Sequence, residues 1–187
     1  IDTDVSASDK AVAHYIRGAL YYKQGHDSEA EEELKKALIL DEKLGGSNMC
    51  LNAHLWLAWE HEQRGEIENA IKLCLDGINR LQTFYDSELA AVLFYTLAEL
   101  YIRHRDVIAS AVKKALPYLY QGLKMDRDFL HLESGIVLLL LGWLREGVEP
   151  SLYNPQRAIE WYEWFLHFTS DVDTRFRDSR QYAQEAL

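Results

Sequence analysis

The sequence predicts an all-α chain, and three observations predict it. Apolar residues recur without strand-like alternation along the whole length, and only ten Gly and three Pro interrupt them. The composition, 48% hydrophobic and 12% aromatic, supplies ample apolar surface for a packed core in 187 residues. Finally, the chain repeats itself. The unit is clearest from Gly18 to Glu42, where Gly18, Tyr21, Gly25, Ala30, Leu34, Ala37 and Leu38 fall at offsets of 0, 3, 7, 12, 16, 19 and 20. In a helix hairpin built this way, small residues sit where two helices press closest and large apolar ones fill the gaps beside them, while Gly25 makes the turn. One hairpin cannot bury its own apolar face, so it needs stacked neighbours.

The elements follow in order. Residues 1–7 are polar, and then Ser8 or Asp9 can cap a helix running to about Gln24. Asp27 or Ser28 can cap a second, ending near Lys43 before the stop signal Gly45-Gly46. Forty residues on, Ala58, His61, Gly65, Ala70, Cys74 and Gly77 take the places of Gly18, Tyr21, Gly25, Ala30, Leu34 and Ala37. Ala98 and Tyr101 repeat the step, but Arg105 stands at the turn and about five extra residues precede Ala115. That insertion lengthens either the turn or the start of the next helix, whose core positions fall to Leu119 and Gly122. The fourth repeat places Leu141-Gly142 in its first helix and Ala158, Tyr162 and Leu166 in its second, after a longer loop from Gly147 to Asn154. Asn154 is the cap there and Pro155 the first helical residue. Thr174 to Leu187 reads as one more helix, which either caps the array or opens a further repeat. The repeats therefore span about 9–46, 48–84, 87–127 and 129–170, with a terminal helix at 173–187, in a single domain of residues 1–187.

This spacing resembles the tetratricopeptide repeat (TPR) family in a long-repeat form, because steps of 40, 40 and 44 residues exceed the ~34 of its shortest unit. The resemblance covers nearly the whole chain and is strongest in repeats one and two, while Arg105 and Arg145 break the pattern in three and four. It implies an α-α superhelix, a right-handed solenoid of about four hairpins plus a C-terminal helix; the function expected of this chain is that of a non-enzymatic protein-interaction scaffold or adaptor. It also implies that the first helix of each hairpin lines a concave groove. The lining residues are then Val12, Tyr15, Ala19 and Tyr22; Asn52, Leu55, Trp59 and Glu62; Val92, Tyr95, Glu99 and Ile102; and Ile136, Leu139, Trp143 and Glu146.

Such a groove is aromatic, apolar and acidic. It suits a protein partner, an apolar or aromatic-bearing peptide or helix with some positive charge. The residues expected to bind it are Tyr15, Tyr22, Asn52, Trp59, Glu62, Tyr95, Glu99, Trp143 and Glu146, with affinity concentrated in Tyr15, Trp59, Tyr95 and Trp143. The same aromatics serve equally well to pack against the next hairpin or a helix that fills the groove. Family members that hold a partner's C-terminal carboxylate use Lys, Arg and Asn side chains. Here Tyr15, Ala19, Trp59, Tyr95 and Glu99 stand at such positions, with Asn52 the one amide, so no carboxylate clamp is expected.

Charge and motif narrow the function further. Thirty acidic against twenty basic residues give −10, which repels phosphate backbones and argues against nucleic-acid binding. The longest apolar run, Ile136 to Trp143 or Leu144, is under half of the ~20 residues that cross a bilayer, so no membrane insertion is expected. Cys50 and Cys74 lack metal spacing and disulfide density; Cys74 takes a core position, and a buried reduced thiol leans toward an intracellular, cytoplasmic setting. A chain whose leader has been removed would read the same. His54 and His61 lie seven apart on one helix face with Glu62 beside them, but about 10 Å separates the imidazoles, and His14 and His54 share a packing position. No HExxH, glycine-rich phosphate loop or serine elbow occurs, so neither catalysis nor a cofactor is expected. A second surface gathers Trp143, Tyr153, Trp161, Tyr162, Trp164, Phe165, Phe168 and Phe176; an exposed excess there would mark a partner or homo-oligomer patch. The alternatives to a scaffold are thus a self-associating assembly subunit and a ligand-sensing regulatory module of a larger protein.

Overall fold

The computed structural model of the chain describes residues 6–44, 48–81, 87–125, 140–144, 150–169 and 177–187. Every regular element among them is helical: α1 (Ala7–Lys23), α2 (Asp27–Lys43), α3 (Asn48–Gln63), α4 (Ile67–Arg80), α5 (Ser87–Arg103), α6 (Ala111–Met125), α7 (Pro155–Phe168) and α8 (Arg177–Ala186). Residues 140–143 are helical as well, and Pro150–Leu152 form a 3-10 turn. The chain divides into two compact units, Ile1–Leu100 and Tyr101–Leu187. No described helix is long and apolar enough to cross a membrane.

In residues 1–100, α1 pairs with α2, α3 with α4, and α2 meets α3. Each of the first two hairpins turns in the same way. Gly25 and Gly65 adopt φ of +76° and +77°, a region open to glycine and strained for other residues. Around Gly25 the His26 N–H donates to the Tyr21 carbonyl and the Gly25 N–H to that of Tyr22, both at 3.0 Å; Glu66 to His61 and Gly65 to Glu62 repeat this at 2.8 and 2.9 Å. Two otherwise orphaned carbonyls are thereby satisfied at each helix end.

The caps differ from the expected ones. Ser6, rather than Ser8 or Asp9, caps α1: its Oγ accepts the Asp9 N–H at 3.1 Å and donates to the Asp9 carboxylate at 2.7 Å. At α2 the cap is His26, rather than Asp27 or Ser28, and its side chain makes no capping bond. The turn is so short that His26 ends one helix and opens the next, its carbonyl accepting the Ala30 N–H at 2.9 Å. Asp27 and Glu29 in the first turn favour the helix dipole instead.

The core of this unit centres on fully buried Leu34, Ala53 and Leu57, with Tyr15, Leu38, Trp56 and Leu73 packed around them. A second cluster joins Leu51, Leu55 and Leu93. Gly18 allows the closest approach within the first hairpin: a Cβ there would lie 2.7 Å from Leu34 Cγ. Cys74 is buried as a free thiol, and burial, helped by Glu62, pushes its pKa up to about 12.

In residues 101–187 the extra residues of the third repeat lengthen the turn rather than the helix. They run from the end of α5 at Arg103 to Ala111, with Val107 77% exposed and Ser110 at φ +56° immediately before α6. Pro117 lies inside α6 and removes the N–H that would reach the Lys113 carbonyl; both residues are exposed. Asn154 caps α7 by accepting the Arg157 N–H at 3.1 Å, with Pro155 first in the helix, as the sequence indicates. Tyr162, Phe165, Leu119, Leu141 and Leu144 are fully buried. Gly142 makes room for Tyr162, whose ring would clash with a Cβ at that position. The Arg180 guanidinium donates to the Leu166 carbonyl at 2.8 Å and to Thr169, tying α8 to the end of α7.

Candidate interaction surface

The partner-binding residues expected on α1 and α3 fall into different settings. Tyr15 and Tyr22 are half-buried, as are Asn52, Trp59 and Glu62. Tyr15 leans on the Leu34–Ala53–Leu57 cluster. Tyr22 instead meets Trp56 edge-on with centroids 4.8 Å apart, and Trp56 meets Trp59 edge-on at 5.4 Å. Three rings thus run from α1 onto α3 in the arrangement that aromatic quadrupoles favour. Trp56 was outside the expected row because it stands one position off the lining spacing. The signal available for it was the Trp56/Trp59 pair at a helical step of three. Leu55 is buried in the second cluster, while Val12 is 41% exposed.

The other expected residues lie elsewhere. On α5, Tyr95 is 5% exposed and works as packing, and Glu99 is half-buried. In residues 101–187, Trp143 is half-buried beneath Arg105, whose guanidinium carbon lies 5.3 Å from the ring centroid, close enough for a cation–π contact. The arginine that replaces the turn glycine therefore has a ring to cover. Glu146 lies outside the described residues, as do Ile136, Leu139 and Phe176.

Charged groups beside the rings are mostly committed to holding the hairpins together. Arg64, the first residue past α3, donates to Glu31 on α2 at 2.5 Å and also to Glu60 on α3. Hydrogen bonds from Lys35 and Arg64 overcome partial burial and hold the Glu31 pKa down at about 2. Burial, reinforced by Glu31 and Asp27, raises that of Glu60 despite Arg64, and Glu60 Oε2 is buried with no hydrogen-bond partner. His61 is bound to Glu66 at 2.6 Å. In the first hairpin Glu33 is also buried, yet bonds from His14 at 2.9 Å and Lys36 at 2.9 Å, with Arg17 at 2.8 Å, hold its pKa below the ordinary value. His14 and His61 are thus engaged by carboxylates, and His54 is 3% exposed. Next to this seam the Tyr22 hydroxyl has a raised pKa, from burial first and then the charges of Asp27 and Glu60.

Residues 11–44 match the family model of the tetratricopeptide repeat. Among solved structures, the chain is similar to BtubC (BKLC) from P. vanneervenii, at 17% identity and a TM-score of 0.67, over 90% of this chain and 69% of that one. It is also similar to a Podosopora anserina putative kinesin light chain with nearly identical TPR-like repeats, at 17% identity and a TM-score of 0.65, over 97% of this chain and 85% of that one. No curated protein matches the sequence significantly.

Proposed function

Because this chain carries a tetratricopeptide repeat and folds as a TPR-type array of helix hairpins, we propose that it is a non-enzymatic protein-interaction scaffold whose binding surface lies on α1 and α3. The single observation that carries this reading is the edge-to-face run Tyr22–Trp56–Trp59, half-buried and flanked by Glu62. Rigid aromatic rings offer large contact area at low entropic cost, and such residues dominate binding energy at interfaces. The negative charge of Glu62 and Asp27 beside them selects for a basic partner and speeds encounter with it. The occupant is a peptide or helix that carries an apolar or aromatic anchor next to Lys or Arg. Residues 1–187 act on this reading as a single repeat domain, supported by alignments that extend over 90% or more of the chain.

Selection from a random peptide display library against the intact chain tests the reading. Recovered peptides should pair an aromatic or large aliphatic residue with a basic one, and should lose affinity for the Trp59→Ala chain. Enrichment of acidic peptides, or peptides indifferent to Trp59, would overturn it.

A further inference from the structure

Residues 101–187 hold a cleft of about 450 Å³ formed by α6 and α7. Its walls are largely rings. Tyr120 and Trp161 lie 6.3 Å apart between centroids, Trp161 and Trp164 6.4 Å, and Leu123 adds apolar surface. Tyr120 is 40% and Trp164 47% exposed, so large rings that packing would normally bury face solvent. A cleft of this volume is in the range of small-molecule sites, which combine apolar walls with a few placed polar groups.

The polar groups set the chemistry. Arg157 is bound to Glu160 at 2.6 Å, and the two charges offset each other. Lys124 is exposed and has no carboxylate partner among the described residues. In a chain of net charge −10, the described lining of the cleft therefore carries two basic groups, Lys124 and Arg157, against one acidic group, Glu160. Trp161 also contributes an indole N–H that is buried without an acceptor, an unmet donor in the wall itself.

We propose that this cleft binds a small planar carboxylate, with the ring of the ligand against Trp161 and Trp164 and its carboxylate on the Lys124 ammonium. A cation placed there would meet the like charge of Lys124 instead. A neutral isostere keeps the ring contacts and loses the charge-assisted bond.

Calorimetric titration of the intact chain with naphthoate, naphthamide and naphthylmethylamine tests this. Naphthoate should bind saturably, the amide about tenfold more weakly and the amine not measurably. Lys124→Glu and Trp164→Ala should each weaken naphthoate about tenfold or more. Equal binding of all three probes, no saturable binding at millimolar naphthoate, or unchanged affinity in Lys124→Glu would overturn the proposal. Both substituted side chains are exposed, and thermal melting of each variant checks its fold. Should Trp164→Ala melt early, Lys124→Glu decides alone.

Discussion

Arg64, the first residue past α3, reaches Glu31 on α2 at 2.5 Å while also holding Glu60 on α3, so that one guanidinium joins the first hairpin to the second. The joint is polar, partly screened from water, and asymmetric: one carboxylate is stabilised as an anion and the other is strained as one.

The first prediction concerns Glu31. Its folded pKa, about 2, lies below its ordinary 4.5, so its contribution to stability is full above that ordinary value and fades as pH falls toward about 2. Glu31→Gln should lower Tm by roughly 3 °C at neutral pH, about 1 kcal/mol, with the gap to the parent chain closing in acid. Glu60 acts in the other direction, because burial raises its pKa and protonation relieves it. The difference between the two melting curves across pH therefore carries the test, and a gap that does not depend on pH would refute the charge-based account.

A second prediction concerns Gly142. A methyl group there meets the ring of Tyr162, which is 1% exposed and has nowhere to move. Overpacking should cost roughly 3 kcal/mol, offset by the ~1 kcal/mol that Ala gains over Gly in a helix. Urea denaturation of Gly142→Ala should show a net loss near 2 kcal/mol.

Trp59 and Tyr95 separate binding from folding. Trp59→Ala should weaken a selected peptide by about 2 kcal/mol or more while the chain stays folded. Tyr95→Ala, at a site 5% exposed, should lose about 3 kcal/mol of stability. Affinity and urea midpoints measured on both variants would expose the opposite pattern.

The thiol of Cys74, buried and with its pKa pushed up to about 12, should resist modification. In a Cys50→Ser background, reaction with an aromatic disulfide reagent at mild alkaline pH should be about 100-fold or more slower in the native chain than in urea. Comparable rates would show that the site opens freely.

The hairpins were legible because their cause is local. Gly25 and Gly65 mark turns that need positive φ, and Gly18 and Leu34 mark a close approach; both leave a fixed spacing in the sequence. The helix starts were less legible. Ser6 prevails over Ser8 and Asp9 since capping depends on which residue leaves the helical conformation first, and several adjacent polar residues can do so. The surface was least legible. The lining spacing assigns Leu55 and Tyr95 outward, but burial is decided by neighbours distant in sequence, and Leu51 and Leu93 close over Leu55. Trp56 escaped for the converse reason: it stands off the row, and only the approach of Tyr22 from another helix draws it into the aromatic run.

Gly25 and Gly65 pass through the same backbone conformation forty residues apart, each followed by a residue that serves as both the end of one helix and the start of another. The chain thus meets itself in phase at two points. A deletion of residues 26–65, or a duplicate of them spliced in after Gly65, would join like backbone to like. The first two hairpins are interchangeable modules in that sense, whereas the seven-residue turn ending at Ser110 interrupts the phase and leaves the third hairpin without an equivalent splice point.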